Sequence, residues 1–101
     1  MNRIKHDTKT MVSPTFYVSP THLRKLGVED KSFIFEQDKW DRIFESMKGT
    51  RGYNERYPLT IKINKKGEAQ LKDGHHRLDV AIELNITYVP IQFHYYHITI
   101  K

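Results

Sequence analysis

Apolar residues recur at clean helical spacing in one stretch of the chain. Trp40, Ile43, Phe44 and Met47 fall at i, i+3, i+4 and i+7, which places them on one stripe of an α-helix. The pattern predicts a helix over residues 38–48, with Asp38 as its cap and Gly49 as its terminator. A second helix is predicted from about residue 74 to 85. There Leu78, Val80, Ala81, Ile82 and Leu84 spread over a wide arc and leave only a narrow wet side with Asp79 and Glu83, as in a helix buried between layers. Period-two alternation marks the strands. Leu59-Thr60-Ile61-Lys62-Ile63 reads as a half-buried strand, Asn64-Lys65-Lys66-Gly67 as a turn, and residues 68–72 as the returning strand of a hairpin. Residues 88–95 alternate again. The apolar phase slips before Ile98 and Ile100, which predicts a bulge or break near residues 95–97.

The first third of the chain is less strongly patterned. Residues 1–13 are polar and without a period, and are expected to be a flexible arm that becomes a strand near Met11 and Val12. Residues 15–18 form a short strand candidate. Ser19-Pro20 then reads as an N-cap with proline at the first helical position, opening a short helix through Leu26 that stops at Gly27. Residues 28–37 form a connector holding the apolar cluster Phe33-Ile34-Phe35. Residues 49–58 have no period but carry two glycines, two arginines and two tyrosines, the make-up of a surface loop that collects binding groups. Together these elements predict a single small α+β domain, a mixed sheet with helices packed on it.

Composition narrows the class. A chain of 101 residues has room for one domain and needs all of it to make a core. With 38% hydrophobic and 29% charged residues it falls among folded globules rather than disordered tails. Neither a long apolar run nor the apolar core of a signal peptide is present, so a cytoplasmic location and no membrane partner are expected. The absence of cysteine excludes disulfides, thiolate metal sites and cysteine nucleophiles. The net charge of +5 favours a polyanion or an acidic protein surface as partner, although no dense Lys/Arg block occurs.

The chemistry concentrates in Asp73-Gly74-His75-His76-Arg77, where a strand ends and a helix begins. A helix N-terminus offers free N–H groups and the positive end of the dipole, which suit an anion. Gly74 removes a side chain where a ligand would approach the backbone. The two histidines and the arginine add donors, so a phosphate of a nucleotide or nucleic acid fits best. Arg77 either clamps oxyanions through its planar fork or pairs with Asp73, and the adjoining glycine turn favours the clamp. His76 either donates to phosphate and moves protons, or simply closes the helix start, and His75 has the same two readings. Asp79 lies four residues after His75 and three after His76, and either hydrogen-bonds to one of them or is a solvated helix position. Asp73 either meets a metal ion carried with the phosphates or caps the turn. Arg51, Gly52, Asn54, Glu55 and Arg56 either form a second wall, with Glu55 as a carboxylate base or metal partner, or are a solvated loop. His94 and His97 do not combine with His75 and His76 in a recognised zinc spacing, so no protein-held metal is expected. Tyr95 and Tyr96 read either as a stacking platform for bases or as packing at a rim.

Hairpin, Asp-Gly-His-His-Arg turn, buried helix, and a strand beginning Tyr88-Val89-Pro90 follow one another in an order that resembles the ParB/sulfiredoxin superfamily. The likeness covers residues 37–93, and residues 12–36 more loosely. Gly74 and Arg77 match the glycine and last arginine of the Gly-Glu-Arg-Arg motif with which partition proteins bind CTP, and His75 and His76 replace its middle residues. Sulfiredoxins carry Gly-Cys-His-Arg, which puts His75 in the place of their catalytic cysteine and excludes sulfinic-acid reduction by that route. No helix-turn-helix segment follows, so a full partition protein is not expected. The resemblance implies a nucleotide-phosphate-binding scaffold of the ParB-like nuclease type, with a nucleoside triphosphate as ligand; Mg²⁺ is compatible with such a ligand, but no carboxylate pair of recognisable spacing encodes it. On this reading Asp73, Gly74, His75, His76, Arg77, Arg51 and Arg56 hold phosphate. His76 or Glu55 moves a proton in NTP hydrolysis, phosphoryl transfer or phosphodiester cleavage. The rival expectation is a non-catalytic phage or mobile-element protein that binds DNA or inhibits a host protein.

Overall fold

A computed structural model describes residues 8–49 and 56–98. In chain order these form β1 (Thr8–Val12), β2 (Phe16–Val18), α1 (Pro20–Leu26), α2 (Gln37–Lys48), β3 (Leu59–Ile63), β4 (Ala69–Asp73), α3 (His75–Glu83) and β5 (Val89–Ile98). The architecture is α+β, with one mixed five-stranded sheet and three helices. Among the described residues, no helix is long and apolar enough to cross a membrane.

β5 organises the sheet. It runs parallel to β3 on one side, while β2 and β1 pair antiparallel along its other side. β4 closes the opposite edge as the hairpin partner of β3. The parallel register sets Leu59 beside Ile91 and Ile61 beside Phe93, so the apolar faces of the central strands align. Leu59, Ile61, Leu71, Leu78, Val80 and Val89 are all fully buried. α2 and α3 pack against each other, and Trp40, Ile43 and Phe44 rest on this core with Met47 buried in it.

Local chemistry explains the ends of the elements. Ser19 caps α1 by accepting from the His22 N–H, and Gly27 ends it at φ 72°. The Asn64 side chain accepts from the N–H groups of Lys66 and Glu68, which shapes the β3–β4 turn. Ser13, between β1 and β2, ties that corner to β5: its N–H donates to the Phe93 carbonyl and its hydroxyl accepts from the Phe93 N–H.

Several expectations need correction. α2 starts one residue earlier than the pattern suggested, and its N-cap is Glu36, which makes no side-chain capping bond. Asp38 instead sits in the first turn, where its charge suits the dipole. β3 is not half-buried at its start, since Leu59, Thr60 and Ile61 are all buried. The break expected near residues 95–97 is absent. β1 pairs without interruption from Val12↔His94 to Thr8↔Ile98, so inter-strand pairing carries β5 through the change of apolar phase. The register shift lies instead in the β3–β4 pairing, between Thr60 and Ile61. Part of the expected arm is thus strand, and residues 1–7 lie outside the described residues. α3 ends at Glu83, and Asn85 takes a left-handed conformation at φ 57°, which asparagine tolerates well.

Candidate functional site

The turn from β4 into α3 is held by packing. Gly74 has φ 107°, and a Cβ placed on it would collide with the Leu59 side chain. The glycine is therefore required by the core beneath it and by its own backbone conformation. Gly74 is also the N-cap of α3 and supplies no side-chain capping bond. The first backbone bond of the helix runs from the Leu78 N–H to the Gly74 carbonyl at 2.8 Å.

His75 and His76 occupy the first turn of α3 and both reach back to the connector before α2. Nε2 of His75 accepts from the Asp30 N–H at 3.1 Å, and Nε2 of His76 accepts from the Glu36 N–H at 3.0 Å. An imidazole nitrogen that accepts must be unprotonated, so each ring is neutral with its hydrogen on Nδ1. Phe33 stacks flat on His75, with centroids 4.2 Å apart and an 8° interplanar angle, and meets His76 edge-on at 4.9 Å. Burial lowers the pKa of both histidines below the ordinary imidazole value, and the nearby Lys39 charge lowers that of His76 further.

In this geometry His76 has a backbone partner of its own. Its Nε2 lone pair is engaged by a backbone donor and the residue is only 5% exposed. Asp79 serves neither histidine. One of its oxygens accepts from Arg24 at 2.8 Å and the other from the Trp40 indole N–H at 2.8 Å, and Arg24 also pairs with Glu29. Asp79 therefore ties α1 and α2 to α3. The Arg24 guanidinium, bonded first to Glu29 and then to Asp79, is held even more firmly in its charged form.

Arg77 stands at the junction of two clefts. One, of about 240 Å³, is lined by Lys39, Lys72, Arg77, Asp30, Asp73 and the turn itself, with Phe33 and Ile43. The other, of about 330 Å³, is lined by Lys39, Arg42, Ile43, Ser46, Met47, Tyr57 and Arg77. The Arg77 guanidinium lies over the Tyr57 ring, 5.1 Å from its centroid. Among the described residues it forms no ion pair, so the pairing with Asp73 is not made.

The expected second wall is only partly visible. Arg51, Gly52, Asn54 and Glu55 lie outside the described residues. Arg56 is exposed and is not among the residues lining either cleft. Sequence reasoning overlooked Lys39, Arg42 and Ser46, which line the second cleft from α2. Their spacing of three and four residues along the flank of the Trp40–Ile43–Met47 stripe was the signal available. Phe33 was noticed as apolar but not as the partner of the histidines. Among the described residues, no group of three or more His, Cys, Asp or Glu is placed to hold a metal ion.

A stability prediction follows from the two rings. Their folded pKa values lie below the unfolded one of about 6.5. The unfolded chain therefore binds more protons as pH falls through that region. The contribution is fully present above about pH 6.5 and is lost as pH drops through the lowered folded values. His94, also lowered by burial, adds in the same direction. Urea midpoints at pH 7.5 and at pH 5 should show the lower midpoint in acid, and equal midpoints would contradict the acceptor role of the rings.

No protein-family model matches the chain, and a search of curated proteins finds no match.

Proposed function

We propose that the α3 N-terminus and the cations around it bind the phosphates of a nucleotide, on a scaffold of the ParB/sulfiredoxin kind. The observation that carries this reading is the convergence of Lys39, Lys72 and Arg77 on one cleft with the first turn of α3. That turn has no side-chain cap, and among the described residues no protein acceptor takes the N–H groups of His75, His76 or Arg77. Free amides at the positive end of a helix dipole, with three cations beside them, complement a polyphosphate. The adjoining cleft, with Tyr57, Ile43 and Met47 in its walls, offers apolar surface for the nucleoside. Asp30 and Asp73 are the carboxylates of the phosphate cleft, available to a Mg²⁺ ion carried in with a triphosphate.

Binding is better supported than catalysis. The Nε2 of His76 is engaged and Glu55 lies outside the described residues, so the reading rests on binding rather than on NTP hydrolysis, phosphoryl transfer or nuclease chemistry. A cytoplasmic nucleotide-binding protein is the form of the proposal that the cysteine-free chain fits best.

Arg77→Ala tests it. Losing a charged partner to phosphate costs about 1.5–3 kcal/mol, which is about a 10- to 150-fold weaker affinity. The melting temperature should barely move, because the arginine leaves only its contact with Tyr57. A thermal-shift panel of NTPs with and without Mg²⁺ reads both quantities. Equal stabilisation of wild type and variant would remove Arg77 from the site. No stabilisation of wild type by any nucleotide would favour the rival, a protein that binds DNA or a host protein without a nucleotide.

A further inference from the structure

We propose that residues 30–36 form an acid-released strap across the α3 N-terminus, locked by His75 and His76 while their rings are neutral and freed when the rings take up protons. The segment has no helix or strand of its own. Its two ends are tied to α3 by one bond each, from the Asp30 N–H and the Glu36 N–H to the two Nε2 atoms. Between those ties Phe33 packs on both rings, and Phe35 leans on His76 at 5.3 Å. The remaining bonds of the strap that are seen are local. Ser32 donates twice to the Asp30 carboxylate, and the Phe33 N–H donates to the Asp30 carbonyl. Ile34 at its crest is 77% exposed, so little burial holds the segment down.

Protonation reverses both ties. Each Nε2 becomes a donor facing another donor, and the backbone N–H must turn away. The charged groups around the rings pull in both directions. Asp30 and Glu29 on the connector and Asp73 on β4 favour a charged His75, while His76 opposes it. Glu36 on the connector and Asp79 on α3 favour a charged His76, while Lys39 on α2 opposes it. Burial outweighs the favourable charges at both rings, which places release below the ordinary imidazole range.

Release has a consequence for the cleft, and this part rests on the phosphate reading above. Asp30 and Phe33 both line this cleft. When they leave, the cleft loses a carboxylate and widens, while two imidazolium charges are added beside the helix N-terminus. Anion binding should therefore strengthen in acid.

Amide and imidazole NMR signals followed from pH 8 to pH 5 without ligand test the strap. The Asp30 and Glu36 amides should move together with the ring signals of His75 and His76, while the amides of Ile61 and Ile91 in the core stay fixed. The double variant His75→Gln/His76→Gln offers carboxamide oxygens that accept but do not titrate, and should hold the strap amides still throughout. Strap amides that stay flat while the rings titrate would overturn the proposal. So would core amides that move at the same midpoint, or strap amides that move equally in the double variant. Should that variant not fold, the wild-type titration decides alone. Sulfate, whose charge is constant over this range, should bind several-fold tighter at a pH below both ring midpoints than at pH 7.5. Equal affinity at the two pH values would overturn the gating of the cleft. Sulfate binding at neither pH would count against the phosphate reading and leave the strap standing on its amides.

Discussion

Gly74→Ala should lower stability more than any other glycine-to-alanine change among the described residues. Its backbone sits at φ 107° and a new Cβ would run into the side chain of Leu59, which has no exposed surface. Forcing a non-glycine residue to positive φ costs about 1–2 kcal/mol. Overpacking a tight core costs about 1–3 kcal/mol more. Gly27 is the natural control. It also has positive φ, at 72°, but a Cβ there meets nothing within 4 Å, so Gly27→Ala should show the backbone cost alone. Urea midpoints at unchanged m-value would separate the two. Equal losses would mean that Leu59 yields freely and that the turn is not braced by the core.

Leu78→Ala should be comparably damaging. Leu78 is fully buried on α3 with Val80 and Ala81 and belongs to the hydrophobic core. Truncation removes its transfer free energy and leaves a cavity, at about 2–5 kcal/mol. Ile82, one turn further on, is only half-buried against the core, so Ile82→Ala should cost clearly less, contrary to the even burial that the apolar arc suggested. Denaturation of the two variants side by side tests which face of α3 points inward. A larger loss at Ile82 would contradict the packing described.

The helices were readable because each carries its own local signals. Ser19, Pro20 and Gly27 bracket α1 as their chemistry demands, and the Trp40–Met47 stripe turns one face of α2 to the core. The hairpin turn was readable for the same reason, since Asn64 organises it through its own side chain. The continuity of β5 was not readable. It depends on pairing with β1, some eighty residues away in the chain, and the apolar phase of the strand alone does not reveal that. The burial of Thr60 likewise depends on which strands lie beside β3 and what covers them.

The candidate site was half legible. Gly74, His75, His76 and Arg77 do gather at the head of α3, and a cleft opens there. The duties of the histidines were hidden because their partners are backbone N–H groups of a connector some forty residues earlier. No residue type marks a backbone donor. Asp79 was misread on helical spacing alone: the nearest candidates in sequence were the histidines, but tertiary packing brought Arg24 and Trp40 to it instead. Lys39 and Arg42 lie beside the apolar stripe that marks α2, and only the docking of α2 on α3 turns them toward a cleft.

The most direct test is calorimetric titration of the wild-type chain with each of the four NTPs at neutral pH and moderate salt, with Mg²⁺ present and absent. A saturable heat is expected for at least one NTP, weakening as salt rises because the contacts are to phosphate charge. No heat with any nucleotide under either condition would contradict a phosphate site at the head of α3.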